Sequence, residues 1–570
     1  MNLSSANRAL HLFTRLLDTD SATEPIIDLG PQKPEIPLRA SVSPLPVCAP
    51  EQQGIPSRHI VNFLRELADA PSLRMHSVLI LRNGHLVCRA AFGAQDVSLP
   101  RMTFSACKSV TALAIGLLMD DGLLHPEDRL TDLFPNDCGP VSRRLMKDLT
   151  LAHVLSMQTG NQFNEAGSMT EEDWTRAYFS APSLETSRKF QYNSLNTYIL
   201  AVLVTRITGH SLTDFLRKRL FAPMGIEHFH WETSPEGIEK GGWGLYMTAE
   251  DLGKLGQLVM DDGCWEGKQL ISADFLKKAT QTHAITPEEY GDFNYGWQIW
   301  VGRKENTFLF NGMLGQNVLG FRDSGIVVVS HAGNDETFQS SVYFPLVSKY
   351  FSASFPKTLP KNPSAERELA KTVAALSDCG GRIPLKAEFE RFSGRRFVTG
   401  DKNAVSTGLL PLTLQAVQNC YTKGLQAITV TGTRTAPVVL YEERDQLHYL
   451  ICGTKEPAYQ VLDFRGNSFR AAIQARFTHD EEERPVLRIR IDFLETPCTR
   501  ILKLFLTQDG MLLKQEESPG LDYLTHAMST LLQGSNKTLT AAVLGSAEQG
   551  YLRWKTEKIF LPVLKFTEEA

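Results

Sequence analysis

The sequence predicts an α+β protein of more than one domain, in which helices and antiparallel strands occupy separate stretches. Three observations lead to this prediction. The chain has 570 residues, whereas a single hydrophobic core stops growing near about 250–300 residues. Residues 125–235 have a mostly helical pattern that prolines interrupt. Residues 295–345 and 385–570 contain short β-branched and aromatic runs, and their period-two alternation is typical of strands.

Periodicity and turn residues predict the elements of the first part of the chain. A short amphipathic helix is expected over 6–18, and six prolines between 30 and 50 predict an extended lead-in. Residues 60–67 have a helical pattern. The pair Asn83-Gly84 between two apolar runs predicts a tight hairpin turn. The apolar run 105–119 predicts a buried helix.

The later part of the chain is predicted to contain mainly strands. Successive antiparallel strands are expected to begin near Tyr295, Phe308, Asn317, Gly325 and Ser340. Prolines, a helix over 365–376 and the pair Gly380-Gly381 indicate a linker. A further helix is expected over 523–532. The predicted division is a helix and proline-rich lead-in, a first domain, a linker with its helix, and a strand-rich accessory domain, over 1–50, 51–355, 356–384 and 385–570.

Composition excludes several classes of protein. The formal net charge is -5 and the pI is about 6.3, so the chain lacks the basic field that nucleic acids require. No apolar run reaches the roughly 18 residues of a membrane span, and Arg15 and Asp18 interrupt the N-terminal apolar stretch that a signal peptide needs. The nine cysteines are scattered without a CxxC pair. We therefore expect reduced thiols and a cytoplasmic location; the oligomeric state stays open.

The first candidate for chemistry is Ser105-Ala-Cys-Lys108. Positions i and i+3 share one face of a helix, so the Lys108 amine would reach the Ser105 hydroxyl. A serine is a weak nucleophile until a base takes its proton, and lysine becomes a base when burial lowers its pKa. The alternative is a capping serine with a solvent-directed lysine. Against it, a lysine inside an apolar helix is rarely buried without a partner.

The second candidate is Tyr192-Asn193-Ser194. A tyrosine beside a lysine cation could relay a proton, because the cation favours the phenolate, and Asn193 and Ser194 could bind a substrate carbonyl or Lys108. The alternative is a core tyrosine at the start of an apolar helix over 198–207.

The third candidate is the run 311–316. Its glycines, three residues apart beside a strand, predict a backbone that approaches a ligand closely, and a hairpin turn explains them equally well. The residues concerned are Asn311, Gly312, Met313, Gly315 and Gln316.

Other signals are weaker. His228 and His230 have a spacing that suits metal ligands on a strand, yet no third ligand is evident, so no metal site is expected. The run from His331 to Asn334 is either a polar cluster or a turn. The sequence has no GxSxG, HExxH, Walker A or GxGxxG motif, which leaves the α/β-hydrolase, zincin, P-loop and Rossmann readings without support.

The order of these motifs resembles the serine β-lactamase and penicillin-binding-protein superfamily, and in particular its class C-like branch of esterases and 6-aminohexanoate-dimer-hydrolase-type enzymes. The resemblance spans about residues 50–345. It rests on the three candidates above and on further matching stretches that begin at Pro50, Phe104, Gly122, Leu151, Phe221, Gly241 and Tyr295.

The resemblance implies a β-lactamase-like, five-stranded antiparallel sheet flanked by helices, with a helical subdomain and the active site between them. It implies Ser105 as the acylated nucleophile, Lys108 as its activating partner and Tyr192 as the group that protonates the leaving atom. The oxyanion hole would be formed by the backbone N–H groups of Ser105 and Met313. Neither a metal nor an organic cofactor is needed. Contacts to substrate are expected from Asn193, Ser194, Asn311, Gly312, Gly315 and Gln316.

Two departures from the family pattern bear on the substrate. Where penicillin-directed members often have Lys or His before Thr-Gly, this chain has Phe310 before Asn311-Gly312. The cation that would bind a carboxylate is therefore missing at that position. The tyrosine motif ends in Ser194, where those members usually have Asn. Both differences favour an esterase or amidase.

Three hypotheses follow. The first is a serine hydrolase that cleaves an ester or amide of a small molecule. The second is a D-amino-acid-type peptidase or weak β-lactamase, which would need a cation from elsewhere, such as 385–570. The third is a sensor that is acylated with little turnover. An apolar or aromatic acyl group would suit pocket walls formed by Trp243, Tyr246, Trp297 and Trp300.

Overall fold

The computed structural model describes residues 24–38, 43–183, 188–335, 341–401, 405–520, 523, 557 and 561–569. The helix predicted over 6–18 lies outside these residues, as does the helix predicted over 523–532 except for Tyr523. The described residues form two compact units. The first comprises 36–92 and 96–377, and the second comprises 24–35, 93–95 and 378–569. The three boundaries between the four segments predicted from the sequence stay predictions.

An antiparallel sheet forms the centre of the first unit. Within the described residues it has seven strands, in the order β2-β1-β12-β11-β10-β9-β8. The predicted α+β fold is confirmed, and two short strands, β8 and β9, extend the sheet beyond the five strands expected. The strands are β1 (Met75–Arg82), β2 (His85–Ala91), β8 (Phe293–Tyr295), β9 (Trp300–Gly302), β10 (Thr307–Gly312), β11 (Gln316–Phe321) and β12 (Ile326–Ala332).

Local sequence accounts for most of this sheet. Asn83 and Gly84 both have positive φ, 49° and 76°, which is the conformation that a two-residue hairpin turn requires. The strand expected from Ser340 is wrong, because Tyr343–Phe351 is a helix. Its buried Tyr343, Val347 and Phe351 recur every four residues and line one helical face.

The chain leaves the sheet after β2 and returns to it at β8. Between them lie most of the helices and two small sheets, one built from β3 (Arg101–Met102), β5 (Leu245–Met247) and β4 (Phe229–Trp231), the other from β6 (Cys264–Trp265) and β7 (Lys268–Gln269). The helices of the first unit are α1 (Ser57–Asp69), α2 (Cys107–Asp120), α3 (Leu130–Leu133), α4 (Pro140–Leu145), α5 (Leu151–Leu155), α6 (Glu165–Ser168), α7 (Trp174–Phe179), α8 (Ser194–Thr208), α9 (Leu212–Leu216), α10 (Ala249–Met260), α11 (Ala273–Ala279), α12 (Tyr343–Phe351) and α13 (Pro363–Leu376).

Helices cover both faces of the seven-stranded sheet. On one face, Leu81 and Val329 of the sheet share a hydrophobic cluster with α2, α8 and α10. On the other face, Ile80 and Val328 share a second cluster with α1 and α12. Alternate residues of each strand therefore enter different cores. Helix α2 is apolar all round and is buried from Cys107 to Leu118, as expected of a helix enclosed by other elements.

The second unit is built on an antiparallel sheet whose strands follow chain order almost completely. Within the described residues the order is β16-β15-β14-β13-β22-β21-β20-β19-β18-β17, which agrees with the predicted strand-rich accessory domain. The strands are β13 (Arg395–Val398), β14 (Leu425–Gly432), β15 (Pro437–Glu443), β16 (Leu447–Ile451), β17 (Ala458–Phe464), β18 (Asn467–His479), β19 (Pro485–Phe493), β20 (Thr499–Thr507), β21 (Gly510–Ser518) and β22 (Val563–Glu568), accompanied by helices α14 (Lys386–Glu390) and α15 (Leu412–Gln418).

This second sheet is rolled into a barrel. Its first and last strands in chain order, β13 and β22, pair with each other, so the free edges are those of β16 and β17. The side-chain amide of Gln460 spans these edges: Nε2 donates to Tyr449 O at 2.7 Å and Oε1 accepts from Ile451 N–H at 2.8 Å. The amide takes the place of a strand-to-strand ladder, and the interior is filled by buried apolar side chains.

Within the described residues, no single helix has the length and apolar composition to cross a membrane. The pair Ser194–Thr208 and Leu212–Met224 meets both criteria only when the two helices are taken together, and it is bent by 72°.

The two hydrogen bonds of the Gln460 side chain predict which backbone amides are protected from hydrogen exchange. Gln460→Ala removes both hydrogen bonds, each worth about 0.5–1.5 kcal/mol, so we expect amide exchange in 447–453 to become about tenfold faster. Hydrogen–deuterium exchange with mass spectrometry measures this. The exposed Gln426 lies on β14, which is paired on both sides, and Gln426→Ala is the control. Equal exchange of 447–453 in wild type and Gln460→Ala would contradict the bridge.

Candidate active site

Ser105 lies in a single 3-10 turn, Phe104–Ala106, directly before α2. The turn is tied to β5, because Thr103 donates both its backbone N–H and its hydroxyl to Leu245 O, at 2.8 and 2.9 Å. Phe104 has a φ of 47°, a conformation that costs a non-glycine residue free energy and recurs at functional sites. Ser105 is half-buried, whereas every other residue from 101 to 118 is buried. The turn therefore presents this one hydroxyl to solvent.

Lys108 lies beneath Ser105 and is 2% exposed. Its Nζ donates to Ser105 Oγ at 3.3 Å, to Ser194 Oγ at 2.8 Å and to Gly242 O at 2.6 Å. These three acceptors satisfy a buried ammonium. Burial lowers the pKa of Lys108 to about 8, and the charge of Glu165 works in the opposite direction. The pKa of Lys108 is thus close to neutral pH, as a general base requires.

Tyr192 completes the group around Ser105. Its phenol is within hydrogen-bonding range of the Ser105 hydroxyl, and Lys108 Nζ lies 5.1 Å from the centroid of its ring. The ring stacks on Trp300 at 5.9 Å. Burial is the largest influence on Tyr192 and raises the pKa of the phenol well above its usual range. The expectation that Lys108 would favour the phenolate is therefore not met, and Tyr192 is a neutral phenol with a proton to donate.

The two residues after Tyr192 have different positions. Ser194 is one of the three acceptors around the Lys108 amine, and its Oγ accepts from Nζ. The buried Asn193 caps α8, since its Oδ1 accepts from Leu195 N–H, and its Nδ2 donates to Asn161 O and Phe163 O. Both N–H bonds of the Asn193 amide are used within the fold. The predicted contact of Asn193 with substrate is replaced by this structural role.

The third candidate stretch brings the end of β10 against the nucleophile turn. A Cβ at Gly312 would lie 2.1 Å from Thr103 O and 3.2 Å from Ala106 N, so only glycine allows this approach. Met313 follows in the turn Met313–Gly315, which places its backbone next to Ser105. Gly315 has a φ of 91°, and a Cβ there would meet Ala332. Gly315 therefore shapes the turn, and its contact with substrate stays a prediction.

Gln316 supports the turn from below. It is buried, and its Nε2 donates to Ala332 O at 2.7 Å and Leu314 O at 3.2 Å. Burial holds the pKa of His331 well below its usual range, so the neutral ring donates from Nδ1 to Gln316 Oε1 at 2.8 Å. Gln316 therefore holds the turn and has no amide hydrogen for a substrate, which corrects its predicted binding role.

Asn311 also makes contacts within the sheet. Its Nδ2 donates to Asn317 Oδ1 at 2.8 Å, and these two residues are register partners on β10 and β11. Neighbouring Phe310 contributes instead to the core that contains α2. Because successive side chains alternate between faces, Asn311 shares the face of Leu309, whose cluster also has Tyr192 packed against it, and its contact with substrate stays a prediction.

Two residues that sequence analysis did not select belong to the site. Gly242 supplies the closest acceptor to Lys108, and a Cβ there would lie 3.1 Å from Nζ and 2.7 Å from Ser194 O. Glu165 starts α6, and its Oε1 accepts from Ser194 N–H at 2.9 Å. The glycine-rich run 241–244 was a signal for Gly242, whereas no local pattern distinguishes Glu165 from other surface carboxylates.

The aromatic residues expected to line a pocket divide into two groups. Tyr246 and Trp297 are buried in the core, the latter stacked on His283 at 4.8 Å. Trp300 stacks on Tyr192, and the half-buried Trp243 follows Gly242 and stacks on Trp174 at 5.5 Å. Among the described residues, no three His, Cys, Asp or Glu side chains come together in a group that could hold a metal ion.

The position of Gly242 gives a testable prediction. In Gly242→Ala the new methyl group would displace the Lys108 amine, and a misplacement of about 1 Å can cost on the order of a hundredfold in rate. We expect labelling of Ser105 by a fluorophosphonate to slow by that factor, as followed by intact mass. Gly139, which has open space around it, provides the control Gly139→Ala. Wild-type labelling in Gly242→Ala would show that this glycine does not position Lys108.

Comparison with known proteins agrees with this geometry. Residues 61–340 match the family model described as Beta-lactamase. The chain is 26% identical over 272 residues to 6-aminohexanoate-dimer hydrolase from Paenarthrobacter ureafaciens, which covers 42% of this chain and 68% of that protein. It is 20% identical over 365 residues to a penicillin-binding protein of Bacillus subtilis (strain 168), covering 53% and 77%.

Among solved structures, EstCE1, a hydrolase with promiscuous acyltransferase activity, aligns with a TM-score of 0.43 at 15% identity, covering 52% of this chain and 98% of that one. The family match covers the seven-stranded sheet from β1 to β12, together with Ser105, Lys108 and Tyr192. Residues 61–340 of this chain are therefore similar to the Beta-lactamase family.

Proposed function

We propose that this protein is a serine hydrolase that cleaves an ester or amide bond of a small molecule through an acyl-enzyme on Ser105. The observation that carries the proposal is the sharing of one partly exposed hydroxyl by Lys108 and Tyr192. A nucleophile with a base on one side and a proton donor on the other is the arrangement that acyl transfer requires.

Acylation begins when the neutral amine of Lys108 takes the proton from Ser105 Oγ as this oxygen attacks the substrate carbonyl carbon. The carbonyl π electrons move to oxygen and give a tetrahedral intermediate. When the intermediate collapses, the bond to the leaving oxygen or nitrogen breaks and Tyr192 donates its proton to that atom. The Lys108 ammonium, whose Nζ lies 5.1 Å from the centroid of the Tyr192 ring, then gives the proton it took from Ser105 to the Tyr192 phenolate, which restores the neutral amine and the phenol.

The negative charge of the intermediate needs donors that are already in place. The backbone N–H groups of Ser105 and Met313 are our proposed donors, because Gly312 packs against the Ser105 turn and Gln316 fixes the turn that begins at Met313. A preorganised donor of this kind is typically worth about 3–4 kcal/mol of barrier. Deacylation repeats the steps with water as the nucleophile and Ser105 as the leaving group.

The site favours an ester or amide over a substrate held by its carboxylate. Phe310 is fully buried at the position where a cation would bind such a group. Replacing a charged donor by a phenyl ring removes a charge-assisted hydrogen bond. This difference supports the esterase or amidase hypothesis over penicillin recognition.

Ser105→Ala tests the proposal directly. With p-nitrophenyl esters of several acyl lengths, we expect turnover by the wild type and loss of at least about a thousandfold in the variant, with a fluorophosphonate adduct only in the wild type. The exposed Ser98 provides the control Ser98→Ala, which should retain both properties. An adduct with a single burst and no turnover would favour the acylated sensor, and the absence of both would remove the hydrolase proposal.

The pKa of Lys108 predicts how kcat/KM depends on pH. Its pKa of about 8 means that about one tenth of the amine is neutral at pH 7 and most of it above pH 9. We expect kcat/KM for a neutral ester to rise nearly tenfold per pH unit up to about pH 8 and then level off. Lys108→Arg should lose this activity at every pH, because a guanidinium does not deprotonate. A wild-type profile that is flat between pH 6 and 9 would contradict Lys108 as the base.

A further inference from the structure

The backbone of Glu232 holds both ends of a short loop, 241–243. Its N–H donates to Gly244 O at 2.9 Å, and its C=O accepts from Lys240 N–H at 3.0 Å. Glu232 directly follows β4 and Gly244 directly precedes β5, so these hydrogen bonds extend the pairing of the two strands. The three residues between Lys240 and Gly244 are therefore extruded from the strand pairing as a loop.

The extruded loop contacts α2 through its carbonyl groups. Gly242 O accepts from Lys108 Nζ at 2.6 Å, which is the shortest of the three hydrogen bonds of that amine. Gly241 O accepts from Thr111 Oγ1 at 2.9 Å and from Cys107 Sγ at 3.2 Å. The position of the loop thus determines where the amine of Lys108 is held.

A buried ion pair lies at the base of this loop. Glu232 Oε2 and Lys240 Nζ are 2.7 Å apart, and the two side chains are 0% and 2% exposed. The other carboxylate oxygen, Oε1, accepts from the Tyr246 hydroxyl at 3.2 Å. Lys240 Nζ also lies 5.8 Å from the centroid of the Trp243 ring, so the ion pair contacts the loop itself.

Stability alone does not account for this ion pair. Taking two charges out of water costs free energy that their attraction repays only in part, and apolar residues of similar volume often stabilise a fold equally well. A buried ion pair does restrict geometry, because an isolated charge in an apolar setting is far more costly than a paired one. The pair therefore favours the loop conformation in which Glu232 and Lys240 stay in contact, and in that conformation Gly242 O faces Lys108.

We propose that Glu232 and Lys240 are positioning residues for the general base: through their ion pair they hold Gly242 O against the amine of Lys108. They act through the loop 241–243 and not on the reacting atoms. This inference rests on the proposed function and deepens it, since it names what keeps the base in reach of Ser105.

Labelling of Ser105 by a fluorophosphonate, followed by intact mass between pH 6 and 9, tests the inference. Glu232→Met/Lys240→Met replaces the ion pair by apolar side chains of similar volume, and we expect it to fold with a urea midpoint close to that of the wild type. Labelling should be at least about tenfold slower at every pH, because the amine is no longer held in place. The inflection of the pH profile should lie below that of the wild type, because the ammonium loses an acceptor that favours the charged form.

The first unit offers a matched control. Asp251 and Lys254 on α10 form another buried ion pair, with Oδ1 and Nζ 3.0 Å apart. Asp251→Asn/Lys254→Met removes both charges and should keep the labelling rate and the inflection of the wild type. The titratable groups around the base are retained in every variant; they are Cys107, Tyr192 and Glu165.

A single substitution decides if Glu232→Met/Lys240→Met does not fold. Glu232→Gln keeps the volume of the side chain and an oxygen for the Tyr246 hydroxyl, and it removes the charge. We then expect labelling at least about threefold slower and again a lower inflection. Wild-type values of both in Glu232→Gln would overturn the inference.

Failure of the inference is distinguishable from failure of the proposed function. A folded double variant that is labelled at the wild-type rate, or more slowly but with the wild-type inflection, overturns the positioning role, while labelling of the wild type still supports the hydrolase. If the wild type itself forms no adduct on Ser105, the proposed function fails first and the inference fails with it.

Discussion

The arrangement of the candidate site depends on one buried amine. Lys108 lies in a helix that is apolar all round, and an ammonium there is tolerated only if every N–H bond has an acceptor. Those acceptors come from three separate parts of the chain: the Ser105 turn, the start of α8 and the glycine-rich run 241–244. Satisfying the lysine therefore also brings together the segments that build the site. A single electrostatic requirement links the folding of this region to its chemistry.

The second requirement is that backbone segments of the site approach each other closely, and this explains why two positions there are glycine. A Cβ at Gly242 would collide with the Lys108 amine and its acceptor Ser194, and a Cβ at Gly312 would collide with the Ser105 turn. The polar residues nearby mostly serve this backbone: Asn193 caps α8, and Gln316 holds the turn after Gly312. A rigid frame of this kind places donors before the substrate arrives.

Much of this could be predicted from the sequence, for identifiable reasons. Ser105 and Lys108 are three residues apart on a helix, so their contact follows from helical geometry alone. Asn193 and Gln316 were misassigned because residue type does not reveal whether an amide faces a cleft or its own backbone. Glu165 reaches the site through a contact with Ser194, 29 residues away, which no local pattern encodes. The strand expected from Ser340 failed because buried apolar runs of strands and helices look alike when they are short.

The barrel of the second unit has a consequence beyond its own stability. A ten-stranded sheet that did not close would expose two unpaired edges, and such edges recruit strands from neighbouring molecules. Here the side chain of Gln460 occupies backbone groups of Tyr449 and Ile451, while the outward side chains of β16 are exposed and apolar. The Gln460 amide thus protects the apolar edge strand β16 from strand addition by another molecule. Residue 460 is therefore a determinant of the concentration at which the protein begins to aggregate.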